Sequence, residues 1–202
     1  MPKSKRLAFG IKNVKYATKT GGVYGTPVDL AYADSISFER DYNEIKLYGD
    51  GELIAVLPDD KGLDFSLIVT DINDDYEIAC GRKLAVQGGT ADVNQQTSVE
   101  HAIYFERALL VDGVKKTVKV WILAVTSSGA PETFKQVEDD PTINKYEYKM
   151  HSAGSPLKNS AGSADYTDAN GVGRFVTRIT SLPEDTGYAT FEATVPVPKI
   201  PA

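Results

Sequence analysis

The chain has 202 residues, 42% of them hydrophobic and 25% charged, with a formal net charge of −6. That composition supports one ordinary hydrophobic core and excludes a disordered or fibrous chain. The excess of acid argues against a protein that grips nucleic acid by neutralising phosphates, and no apolar run reaches the roughly 18 residues of a membrane-spanning helix.

The basic start Met1-Pro2-Lys3-Ser4-Lys5-Arg6 imitates the opening of a signal peptide. Lys12, Asn13 and Lys15 interrupt the apolar segment that should follow it. The expectation is therefore a protein made and kept in a cytoplasm. From there the dominant period is two, that of a strand with one buried face. A first strand is predicted near Leu7–Tyr16. Ile36, Phe38 and Arg40 then alternate with Ser35, Ser37 and Glu39, and strands are predicted at Glu44–Tyr48 and Glu52–Leu57, joined by a tight hairpin at Asp50-Gly51. Leu63, Phe65, Leu67 and Val69 form another alternating set.

One helix stands out, over Asp71–Cys80. Thr70 or Asp71 can cap it, acids fill its first turns, Ile72, Tyr76, Ala79 and Cys80 share a face, and Gly81 can end it. Beyond it, strands are expected at Val99–Leu110 and Val118–Val125, with an Asp112-Gly113 turn between them. The second is apolar on both faces around Trp121, as a central strand is. Tyr146, Tyr148 and Met150 alternate with charges and should be buried. Ser152–Gly173 is irregular in composition, with Asn170-Gly171 a turn before a strand at Gly173–Thr180. Ala189, Phe191, Ala193 and Val195 alternate as a last strand, and the proline-rich tail Pro196–Ala202 should be extended. The whole reads as a single mainly β domain, a sandwich or barrel with one short flanking helix, extended N- and C-terminal arms and a 152–173 loop.

Chemical motifs are sparse. The single cysteine, Cys80, excludes an internal disulfide, and Cys80, His101 and His151 match no metal-ligand spacing. Asp71-x-Asn73-x-Asp75 opens like a calcium loop. Tyr76 then stands where a glycine is needed and Arg82 where a bidentate glutamate is needed, so the segment reads as a helix start. Gly49-Asp50-Gly51 is a hairpin turn, not a phosphate loop. His101 reads as a satisfied structural histidine in mid-strand, and His151 as exposed. The acidic run Glu138-Asp139-Asp140 reads as a solvated turn. No catalytic residue, cofactor site or metal site is assigned.

The order of features is more informative. Phe9-Gly10-Ile11-Lys12-Asn13-Val14-Lys15-Tyr16 is followed by Tyr24-Gly25-Thr26-Pro27-Val28, then Ala33-Asp34-Ser35-Ile36-Ser37-Phe38-Glu39 and Tyr48-Gly49-Asp50-Gly51. A strand feeds the helix, Ala102-Ile103-Tyr104-Phe105-Glu106 precedes the Trp121 strand, and Lys145-Tyr146-Glu147-Tyr148 follows. From Leu7 to about Met150 this order resembles the major tail protein family of long-tailed bacteriophages and prophages of Gram-positive bacteria (siphophages).

The resemblance implies a β-sandwich tail-tube fold and a virion structural role, with assembly in the host bacterial cytoplasm and no enzymatic activity. It implies homo-oligomeric rings, commonly hexameric, stacked into a tube. The lumen would hold a tape-measure protein first and pass DNA later without specific binding. Tail terminator and distal tail proteins would meet the tube ends, and no membrane would be involved. It places ring contacts in Thr18–Ala31 and in the Asp41–Asp60 hairpin, with Tyr24, Pro27, Tyr42, Tyr48, Asp50 and Leu53 as candidates. Glu39, Asp41 and Glu44 are candidate lumen acids, since an acidic wall repels phosphate. After His151 the chain is either a family-typical ending or an elaboration of the outer surface. The alternative is a carbohydrate- or surface-binding β-sandwich module using exposed Tyr and Trp121 as stacking platforms, with Trp121 expected to be buried.

Overall fold

The computed structural model describes residues 6–94, 98–131 and 144–201. In chain order, β1 (Arg6–Thr20) turns through Gly21 and Gly22 into β2 (Val23–Tyr24), and β3 (Val28–Asp29) returns along β1. β4 (Ala33–Gly49) and β5 (Glu52–Val69) form one long hairpin. α1 (Asp74–Ala79) follows, and then a small hairpin of β6 (Lys83–Val86) and β7 (Gly89–Asp92). β8 (His101–Val111) and β9 (Val114–Ser127) make the second long hairpin. After them come β10 (Tyr146–Ser152), β11 (Ser155–Pro156), β12 (Phe175–Val176) and β13 (Arg178–Ser181).

The main sheet runs β2-β1-β8-β9-β10-β5-β4, with all its pairings antiparallel. β9 is the pivot. One of its edges pairs β8, and the other pairs β13 at Lys119–Ile122 and β10 at Val125–Ser127. The β10-β5-β4 leaf thereby folds across the β1-β8-β9 leaf. β4 packs against β1 at the far end of the order, and Phe38 of β4 lies 6.0 Å from Phe105 of β8. Bulges make the bend possible. Ala124 takes φ 50 where the β8–β9 register slips, and Asn13 takes φ 53 in the irregular stretch of β1. This is the mainly β, sandwich-like architecture with one short helix that the sequence implies.

Between the leaves lies the larger core, with Val14, Tyr16, Leu67, Tyr76, Ile103, Phe105, Ile122 and Tyr148 buried together. The other face of β8 and β9 buries Tyr104, Trp121 and Leu123 beneath Val195, Phe191 and Tyr24. Each fully buried aromatic removes about 150–250 Å² from water, roughly 4–6 kcal/mol before conformational entropy is subtracted. Tyr146 and Tyr148 are buried as their alternation implies, and so are Cys80 and Trp121.

Several boundaries differ from the sequence reading. The helix is shorter than Asp71–Cys80, because Asn73 takes the cap. Its side-chain oxygen accepts the Tyr76 N–H at 3.0 Å, while its amide nitrogen donates to the Leu30 carbonyl and so ties the helix to the strand connection. His101 opens β8 instead of lying in mid-strand. The segments predicted as four strands from Ile36 to Val69 are two long ones, with register shifts between Asp41 and Tyr42 and between Leu47 and Tyr48.

The alternation over Ala189–Val195 is not a strand. Residues Tyr188–Thr190 form a 3-10 turn, entered through Gly187 at φ 85. This segment supplies acceptors to polar groups of the sheet it covers. The Trp121 indole N–H donates to the Phe191 carbonyl at 2.7 Å, and Lys119 Nζ donates to the Tyr188 carbonyl at 3.0 Å. A ladder strand would have used such carbonyls elsewhere. The predicted Gly173–Thr180 strand is broken into β12 and β13.

The 152–173 loop is tied to the tail. Lys158 N–H donates to the Pro198 carbonyl at 2.8 Å, and Ile200 N–H donates to the Lys158 carbonyl at 3.0 Å. Met1–Lys5 and the Glu138-Asp139-Asp140 run lie outside the described residues.

Candidate interaction surface: the hairpin arm and the groove at its root

The body of the fold ends where β10 stops pairing with β5, at Ser152 opposite Leu63. Beyond that point only β4 and β5 continue, as a two-stranded arm from Asp41 to Asp60. At its tip Asp50 and Gly51 take φ 52 and 84, the paired left-handed conformation that a two-residue hairpin with right-handed twist requires.

Strand alternation sorts the arm's side chains onto two faces. Tyr42, Glu44, Lys46 and Tyr48 share one face with Val56 and Leu53, which stand opposite Lys46 and Tyr48. Ile45 and Leu47 share the other face with Leu57 and Ala55. Ile54 is the extra residue at the shift and is 71% exposed. Apolar side chains therefore lie on both faces, with Glu44 and Lys46 among them on the first. Tyr42, Ile45, Leu47, Tyr48, Leu53, Val56 and Leu57 all remain exposed. Among the described residues neither outer edge of the arm is paired.

Four of the candidate contact residues, Tyr42, Tyr48, Asp50 and Leu53, lie on this arm, with Tyr48 opposite Leu53. Pro27 is half-buried in the loop between β2 and β3. Tyr24 serves the interior. Its hydroxyl accepts the Ala124 N–H at 3.0 Å and donates to Glu100 at 3.1 Å, holding the αL residue of β9 in place. Burial, together with the nearby Glu100 carboxylate and against the Ala124 hydrogen bond, pushes the Tyr24 phenol up to about 12.

The three candidate acids separate. Glu39 and Asp41 point to one side of β4, and Glu44 by alternation points to the other. Glu39 lines a groove of about 880 Å³ over β4, β5, β10 and the end of β9, with Ser37, Asp64, Glu147, Lys149 and His151 beside the apolar Phe38, Phe65 and Met150. The groove floor is set by register, since Glu39, Asp64 and His151 lie side by side across β4, β5 and β10. His151 is half-buried, with its Nδ1 2.7 Å from Asp64 Oδ1.

The other imidazole is closed off. His101 Nε2 lies 2.9 Å from the Tyr76 hydroxyl and its Nδ1 lies 3.9 Å from Cys80 Sγ. Burial lowers the His101 imidazole to about 4 and raises the Cys80 thiol. An activated Cys–His pair needs both shifts reversed, and it needs solvent access. Nearby, Arg82 forms a buried two-pronged pair with Glu77 at 2.5 and 3.1 Å, with its guanidinium 5.0 Å from the Tyr76 ring centre. That cluster anchors α1 to the sheet.

No helix among the described residues is long and apolar enough to cross a membrane. No family model matches the chain, and no curated protein matches it.

Proposed function

We propose that this chain is a structural subunit of a phage tail tube that assembles with copies of itself into stacked rings. The observation that carries the reading is the arm. Among the described residues both edges of this two-stranded ribbon are unpaired and both of its faces carry exposed apolar side chains, and such a ribbon is at best marginally stable in water. Its exposed Ile45, Leu47, Leu53, Val56 and Leu57 gain by burial against a neighbour. Edge pairing repeated head-to-tail between identical subunits closes a ring when the rotation closes. The resemblance to major tail proteins supplies the rest of the reading, including a hexameric ring, a tape-measure protein and DNA in transit, and a place in the virion tail.

For the carbohydrate-binding alternative, Trp121 is fully buried with its N–H donating to the Phe191 carbonyl, which leaves exposed tyrosines such as Tyr32, Tyr42 and Tyr48 as its stacking platforms. Negative-stain electron microscopy of the concentrated protein tests the proposal. Hollow tubes or stacked rings of uniform width are expected. Dispersed monomers at every concentration, with and without a co-expressed tape-measure protein, would overturn it.

A further inference from the structure

We propose that Asp41, Asp64 and His151 form a binding site for a divalent transition metal of the zinc or manganese class, at the root of the arm. Each residue comes from a different strand, β4, β5 and β10, and each is half-buried. One donor atom from each lies within 4.8 Å of the others. An ion with bonds of about 2.1 Å holds neighbouring donors roughly 3–3.5 Å apart, so modest side-chain rotations close the set.

The electrostatics favour a cation. Asp64 Oδ1 faces the His151 imidazole, with Nδ1 at 2.7 Å. Among the residues that line the groove, Glu39 and Glu147 add two further carboxylates beside Lys149. One imidazole and two carboxylates form a mixed nitrogen and oxygen set, which suits zinc or manganese better than the all-oxygen sets that calcium and magnesium prefer. Asp64 and His151 line the open groove, so water completes the coordination shell. The backbone fixes the geometry. Asp64 pairs His151 directly across the sheet, and Asp41 stands opposite Gly62, two residues from Asp64 on the same face. A bound ion here ties the last paired strand of the body to both strands of the arm.

The test uses the untagged, full-length chain stripped with chelator. Zinc titrated by calorimetry should bind as a single equivalent. Asp64→Asn, Asp41→Asn and His151→Ala should each weaken binding by about tenfold or more. Glu44→Gln, on the opposite face, should leave it unchanged. Circular dichroism confirms that each variant is folded. Manganese should broaden the NMR ring signals of His151 selectively over those of His101, the only other histidine. Absence of zinc binding, binding indifferent to all three variants, or equal broadening of both imidazoles would overturn the site.

Discussion

At the scale of single residues, the least replaceable groups are polar ones inside the core. His101 sits at 0% exposure between Tyr76 and Cys80. Burial, with the nearby Arg82 charge adding to it and the Val99 carbonyl and Glu100 opposing, lowers its pKa from 6.5 to about 4. The folded state thus keeps a neutral imidazole where the unfolded chain takes up a proton. The stability so gained is fully present above pH 6.5 and is lost as the pH falls toward about 4. A shift of that size is on the order of 3 kcal/mol. The carboxylates held low by their partners, such as Asp74 beside Lys83 and Glu106 beside Asn13, act further down, below their ordinary values of 3.8 and 4.5. Among the described groups with a resolved shift, His101 is the one that acts between pH 6.5 and about 4.5. Urea unfolding across that window should show the wild type weakening with acid, and His101→Gln, although less stable at pH 7, should give a flatter profile. Parallel profiles would assign the acid sensitivity to another group.

At the scale of elements, the root of the arm depends on a glycine. Gly62 takes φ 126 beside the β5 bulge, and a Cβ built there would lie 2.2 Å from the Ser152 carbonyl oxygen. Neither the backbone conformation nor the neighbouring strand tolerates a side chain. Gly62→Ala should cost at least about 2 kcal/mol of stability, as a strained-backbone change does. Gly51→Ala at the solvated tip, with nothing within 4 Å of its Cβ, should cost less. Comparing their denaturant midpoints checks the order.

The same bulges explain which elements were legible in the sequence. Hairpin turns at Asp50-Gly51 and Asp112-Gly113 announce themselves, because few residues accept paired positive φ. The continuity of β4 and β5 does not. Polar residues at Asp41–Asn43 and Asp59–Lys61 interrupt the alternation, while the ladder runs on through its register shift. Ala189–Val195 misleads in the opposite sense, keeping period two in a turn whose carbonyls are committed to Trp121 and Lys119. The Asp41, Asp64 and His151 cluster has no spacing to read, because strand register alone brings it together.

At the scale of the whole molecule, the division between body and arm makes the proposed assembly separable from folding. The two cores draw on β1, β5, β8, β9, β10 and α1, and they include none of the arm residues Tyr42–Leu57. Shortening the hairpin should therefore leave the body intact. Asn43 pairs with Asp59, so a two-residue Asn-Gly turn replacing residues 44–58 joins the strands in register. The shortened chain removes the exposed Ile45, Leu47, Leu53, Ile54, Val56 and Leu57 together. It should melt within a few degrees of the full chain measured as a monomer, since exposed contacts contribute little to a monomer's stability. Sedimentation velocity over a concentration series should find it monomeric where the full chain forms higher species. A shortened chain that still forms tubes would move the assembly contacts onto the body. A shortened chain that unfolds would mean that the arm supports the sheet it grows from, contrary to the burial pattern on which the proposed function rests.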